Sequence, residues 1–160
     1  MPAADANDQA ALSALYQELI LDHYRRPRNK GELADADAHA ALKNPLCGDE
    51  IEVRLRHAAG VVSEVKFTGR GCSISQSSAS MMTELVRGKP AAEVQGIMRR
   101  VAELLAGSAD AAADPRLGDL RALSGVARFP MRVKCAMLAW RALEEGLRAG
   151  GRRGEGGAGG

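Results

Sequence analysis

Apolar side chains recur along the first part of the chain at Leu12, Leu15, Tyr16, Leu19 and Ile20, with His23 next in the series. That spacing is one face of an α-helix. The run Arg25-Arg26-Pro27-Arg28-Asn29-Lys30-Gly31 should end it, because Pro and Gly both interrupt helical hydrogen bonding. Residues 32–46 are rich in Ala and Asp and carry only a weak pattern, compatible with a short edge strand near 37–42. The period then falls to two. Ile51, Val53, Leu55 and His57 alternate with Glu52, Arg54 and Arg56. Beyond a turn at Ala58-Ala59-Gly60, Val61, Ser63, Val65 and Phe67 alternate with Val62, Glu64 and Lys66. The two runs predict an antiparallel hairpin with one apolar face for helices to cover.

From Gly71 onward the helical period returns. Ile74, Ser78, Met81, Met82 and Leu85 mark one helix, stopped by Gly88. Pro90 opens a second, with Val94, Ile97, Met98, Val101 and Leu105 on one side and Gly107 beyond it. Residues 108–129 are expected to be a long connection holding at most a short turn near Leu117 to Leu123. Val133, Ala136, Met137, Trp140, Leu143 and Leu147 make the last helical stripe. The order helix, strands, helices predicts an α+β fold, with a small antiparallel sheet of about three strands covered by helices.

Composition narrows the picture further. The 160 residues suit one domain, placed at 11–149, with disordered ends expected at 1–10 and in the Gly-rich tail 150–160. Twenty-two basic against twenty acidic side chains leave a net charge of +2, too balanced for a dedicated nucleic-acid binder. One Trp, two Tyr and two Phe also supply base stacking poorly. No run of ~18 apolar residues is present for a membrane span, and the first residues lack the pattern of a signal peptide. A cytoplasmic protein is expected, with no nucleic-acid or membrane partner.

Three cysteines remain to be explained: Cys47, Cys72 and Cys135. An odd number in such a chain argues against a disulfide framework, and no pair shows the short spacing of a zinc ribbon. Each falls at the end of an expected element. Cys47 lies in the turn Asn44-Pro45-Leu46-Cys47-Gly48-Asp49, Cys72 follows Gly69-Arg70-Gly71, and Cys135 sits a few residues after Pro130, off the apolar stripe. Helix starts favour the thiolate that binds metal or attacks sulfur. Asp49 adds a candidate oxygen ligand. Spacing alone leaves two readings open, a three-cysteine metal site and three unrelated free thiols.

Five separated motifs narrow that choice. They are Leu15-Tyr16-Gln17 with Asp22-His23-Tyr24-Arg25-Arg26-Pro27-Arg28-Asn29, the Cys47 turn, and Gly69-Arg70-Gly71-Cys72-Ser73-Ile74-Ser75 with Ser78-Ala79-Ser80-Met81-Met82. Leu123-Ser124-Gly125-Val126 and Phe129-Pro130-Met131-Arg132-Val133-Lys134-Cys135-Ala136 complete the set. In this order they resemble the U-type proteins of iron–sulfur cluster biogenesis (the IscU/NifU N-terminal-like family), and the SufU branch in detail, over roughly residues 12–148. The resemblance implies an IscU-like fold and a Zn²⁺ site made by Cys47, Asp49, Cys72 and Cys135. It further implies a zinc-dependent sulfurtransferase in which Cys47 accepts persulfide sulfur from the cysteine desulfurase SufS and passes it to a SufBCD-type assembly. In that family a SufS histidine replaces the acceptor cysteine on zinc.

Two features set the chain apart from IscU. Lys134 stands where IscU proteins place a histidine, and the Leu-Pro-Pro-Val-Lys segment offered to an Hsp70 chaperone is missing before Cys135. No dependence on such a chaperone is expected. The 108–129 connection also resembles the insertion typical of SufU. The competing function is a scaffold on which a [2Fe–2S] cluster is assembled and transferred, since the same ligands can hold one. A structural zinc module is the third reading.

The other polar residues carry lighter expectations. His23 and His57 read as packed or surface histidines rather than ligands. Arg128, Arg132 and Lys134 either form a solvated basic face or offset the site's negative charge. The Ser73 to Ser80 run reads as a small-residue helix face that allows close packing.

Overall fold

The computed structural model describes the backbone of residues 6–159 and the side chains of residues 13–149. The expected disordered ends at 1–10 and 150–160 fall outside the residues whose side chains are described. Helix α1 spans Ala6–Arg25, followed by strands β1 (Ala38–Asn44), β2 (Asp49–Ala58) and β3 (Val61–Arg70). Helix α2 covers Ser73–Val86, β4 Lys89–Pro90, α3 Ala91–Leu105 and α4 Ala109–Ala112. A 3-10 helix at Pro115–Arg128 leads into α5, Pro130–Gly159.

The sheet is antiparallel with strand order β1-β2-β3-β4, one strand more than the sequence suggested. The extra strand is the two-residue β4, whose Lys89 and Pro90 pair with Val62 and Val61. So short a strand has no periodicity of its own to detect. β1 is a full edge strand whose Ala40 lies opposite Val53 of β2.

One face of the sheet is apolar. Ile51, Val53, Leu55, Val65 and Phe67 are all at most 1% exposed, packed in a core with Met82 of α2 and Trp140 and Leu143 of α5. The alternation expected for β3 fails at its start, because Val62 and not Val61 is buried. A register shift between Arg56 and His57 is the cause: Arg56 faces Glu64 whereas His57 faces Val62, leaving Ser63 unpaired. One extra residue moves the following side chains to opposite faces.

The connection 108–129 also differs from expectation, being largely helical. Ser108 caps α4 by accepting the Ala111 N–H at 3.1 Å. Asp114 caps the 3-10 helix by accepting the Arg116 N–H at 2.9 Å. Gly118 kinks that helix with φ 52° and ψ −130°. Its Leu117, Leu120 and Leu123 are at most 1% exposed, so the segment is a core element and not a surface loop. Short 3-10 turns escape a search for the 3.6-residue period.

Candidate metal centre

Three junctions of the fold meet at one end of the sheet. The first is the β1–β2 turn. Asn44 shapes it by accepting the Leu46 N–H on its side-chain oxygen at 3.2 Å, and the Gly48 N–H on its carbonyl at 2.8 Å. Gly48 takes φ 70°, a conformation that suits a residue without Cβ. Cys47 is thereby held exposed at the tip of a tight turn, next to Leu46, which is 65% exposed.

The second junction is β3 into α2. Register pairs Glu50 with Arg70, which brings Asp49 beside Gly71 and Cys72. Asp49 is fully buried, and its Oδ1 accepts the Cys72 N–H at 2.8 Å. Gly71, at φ 151°, makes this approach feasible, since a Cβ there would lie 2.2 Å from Asp49 Oδ1. Cys72 is the N-cap of α2, its sulfur accepting the Ser75 N–H at 3.5 Å. At this end the helix dipole favours a negative sulfur.

The third junction is the start of α5. Cys135 is 1% exposed, so its thiol is buried where the sequence placed it off the core face. Its sulfur donates to the Met131 carbonyl at 3.5 Å and lies 3.2 Å from Cys47 Sγ. The three cysteines are free of disulfides. Ser78 joins the two helices that carry Cys72 and Cys135, donating to the Ala136 carbonyl at 2.7 Å.

The ligand atoms of Cys47, Asp49 and Cys135 lie within 4.8 Å of one another. Cys72 stands at their edge, its sulfur 3.8 Å from Asp49 Oδ2. All four candidate residues therefore meet at one end of the sheet, across 88 residues of chain from Cys47 to Cys135. Asp49 forms no salt bridge with a basic side chain among the described residues. Burial, and then hydrogen bonding with Asp49 and Cys47 and the negative charge of Cys72, push the Cys135 thiol well above the ordinary thiol range. A buried carboxylate without a cation, crowded by three sulfurs, is a donor set that a divalent ion would complete. Three sulfurs and one oxygen fit the tetrahedral preference of Zn²⁺.

The remaining expectations resolve around this pocket. His23 is fully buried and holds three elements together: its Nδ1 is 2.7 Å from Ser80 Oγ on α2, and its Nε2 2.9 Å from Asp119 Oδ2 on the 3-10 helix. Arg28 N–H also donates to Ser80 Oγ at 2.8 Å, and Asn29 Nδ2 to Thr83 Oγ1 at 3.1 Å. The polar motif after α1 thus fastens that helix to α2. The serine run signals close packing in the sequence, but its individual partners depend on elements far along the chain. His57 lies on a strand, its N–H donating to Asp37 Oδ2 at 2.7 Å. Arg128 and Arg132 are exposed and line a groove of about 930 Å³ with Tyr16, Ile20, Ile74 and Phe129. Lys134 is exposed as well.

Comparison with known proteins supplies the context. The chain is 43% identical over 139 residues to the zinc-dependent sulfurtransferase SufU of Bacillus subtilis, covering 86% of this chain and 92% of that one. It is 38% identical over 137 residues to the iron–sulfur cluster assembly scaffold protein IscU of Streptococcus pyogenes, covering 86% and 85%. Among solved structures it superposes on the putative SUF-system scaffold SufU of Fervidobacterium islandicum with a TM-score of 0.75 and 32% identity, covering 84% and 97%. No described helix is long and apolar enough to cross a membrane. Residues 15–149 match the NifU-like N terminal domain, and the chain belongs to that family of SufU- and IscU-type iron–sulfur cluster assembly proteins.

Proposed function

We infer that this protein is a zinc-dependent sulfurtransferase of iron–sulfur cluster assembly, with Cys47, Asp49, Cys72 and Cys135 as the metal ligands and Cys47 as the sulfur acceptor. The observation that carries this reading is the contrast within the site. Cys47 is exposed on a turn, while its neighbour Cys135, 3.2 Å away, is buried in a helix. Zn²⁺, when bound, would keep the sulfurs deprotonated and masked.

The residues divide the work accordingly. Cys47 can swing outward by turning a loop, without unwinding an element. Asp49 and Cys72 are fixed by their mutual hydrogen bond, and Cys135 by the first turns of α5. The Cys47 thiolate attacks the outer sulfur of a persulfide on a SufS-type cysteine desulfurase. One S–S bond breaks as another forms, the donor leaves as a thiolate, and no net oxidation occurs. Exposed Leu46, Phe129 and Met131 offer apolar contact to such a partner beside the site. A SufBCD-type assembly is the onward acceptor.

The similarity to a protein named as a scaffold favours one second reading, assembly of a [2Fe–2S] cluster on the same ligands. One experiment separates them. Purified protein should hold one zinc per chain, raise alanine production by SufS, and carry an added mass of about 32 Da, one sulfur, on Cys47 after incubation with SufS and cysteine. Persulfide on Cys72 or Cys135, or full activation by Cys47→Ser, refutes the transfer reading. A stable, transferable cluster in a zinc-free protein establishes the scaffold.

A further inference from the structure

The polar contacts of Cys72 continue along α2 beyond the candidate ligands. Ser75 and Gln76 follow Cys72 by three and four residues, so helix geometry sets both beside its turn. Ser75 is fully buried and Gln76 is 4% exposed. Gln76 Nε2 donates to Ser75 Oγ at 3.2 Å. Ser75 Oγ in turn donates to the Cys72 carbonyl at 3.1 Å and lies 3.8 Å from Cys72 Sγ. The Ser75 N–H donates to the same sulfur at 3.5 Å. Gln76 Oε1 has no hydrogen-bond partner among the described residues.

A buried amide with one arm unpaired is costly, and such groups call for an explanation. The paired arm reaches the turn that carries Cys72. A hydroxyl has one proton and two lone pairs. The Gln76 N–H fills one of the Ser75 lone pairs, which leaves the Ser75 proton to point toward Cys72. Ser75 thus presents both its N–H, at 3.5 Å, and its Oγ, at 3.8 Å, to the Cys72 sulfur. Cys47 has no comparable support among the described residues, its one sulfur hydrogen bond there being with Cys135.

We propose that Gln76 is a positioning residue of the metal centre, which acts through the Ser75 hydroxyl to hold the Cys72 sulfur in place so that Cys47 is the ligand that leaves. This rests on the zinc reading above. Hydrogen bonds to a ligating group orient it and tune its bond to the metal, and losing one typically weakens affinity ~10–100-fold. The asymmetry between Cys72 and Cys47 is therefore built into α2, one turn beyond Cys72.

The test uses Gln76→Met, which keeps length and removes the amide, Ser75→Ala, which removes the hydroxyl, and Ser75→Thr, which keeps it. Zinc affinity is measured by competition with a chromophoric chelator. Cobalt is loaded in place of zinc to record the thiolate charge-transfer and ligand-field bands. Limited iodoacetamide labelling of the zinc-loaded protein then reports which cysteine reacts first. Gln76→Met and Ser75→Ala should bind zinc at least ~10-fold more weakly, shift the cobalt bands, and raise labelling of Cys72 relative to Cys47. Ser75→Thr should restore all three. Should Ser75→Ala fail to fold, Gln76→Met and Ser75→Thr still decide. Wild-type zinc binding with Gln76→Met within twofold of it, unchanged cobalt bands and Cys72 still protected overturns the role of Gln76 alone. A wild type without tight zinc overturns the zinc reading, and this inference with it.

Discussion

Replacing Gly71 with alanine tests the geometry of the pocket directly. The new Cβ would sit 2.2 Å from Asp49 Oδ1, 2.9 Å from Asp49 Cγ and 2.9 Å from Ser75 Oγ, so the Asp49 carboxylate must move. Moving it breaks the 2.8 Å hydrogen bond from the Cys72 N–H, and both partners lie in the site. Leaving a buried acceptor unpaired costs about 1–3 kcal/mol. Holding alanine at φ 151° adds about 1–3 kcal/mol of backbone strain. Together Gly71→Ala should destabilise the metal-free protein by about 3 kcal/mol. In an Asp49→Ala background the carboxylate is gone while the strain and the Ser75 Oγ contact remain, so the same substitution should cost about 1–3 kcal/mol less. Urea denaturation of the four proteins in excess chelator closes this double-mutant cycle. Equal costs in both backgrounds, or Gly71→Ala within ~0.5 kcal/mol of wild type, would refute the steric argument.

Two further outcomes are expected away from the metal. His23→Ala removes a fully buried ring that links α1, α2 and the 3-10 helix, and should cost about 2–4 kcal/mol in urea denaturation; a loss below ~1 kcal/mol would show the ring to be dispensable. Acid should also destabilise the protein. Arg116 first, and Arg100 after it, hold the Asp114 carboxyl far below the usual carboxylate range, and Arg28 and Arg70 lower Asp22 and Glu50 respectively. A depressed folded value means the unfolded chain takes up protons first, so this stability is complete above about pH 5 and is lost as pH falls through the folded value. Asp114→Asn should flatten that acid limb in a pH series of urea midpoints, and an unchanged slope would remove Asp114 as its source.

Local pattern settled a good deal of this protein by itself. The amphipathic stripes of α2, α3 and α5 and the alternation in β2 follow from which side chains can face a core, a property each segment carries alone. The motifs around Cys47, Cys72 and Cys135 likewise marked the ligand candidates, because turn and helix-start residues are local signals. Tertiary structure decided the rest. The bulge that turns Val62 inward, the pairing of β4 and the folding of Pro115–Arg128 into the core each depend on a neighbour elsewhere in the chain. Burial of Cys135 and the links from Ser78 to Ala136 and from His23 to Ser80 and Asp119 depend on how α1, α2, the 3-10 helix and α5 pack. The same holds for the site itself. Sequence spacing lists four ligand candidates, but only the β2–β3 register puts Asp49 beside Cys72, and only the packing of α5 brings Cys135 to Cys47. Distances between residues far apart in the chain are set by packing, which the one-dimensional pattern does not encode.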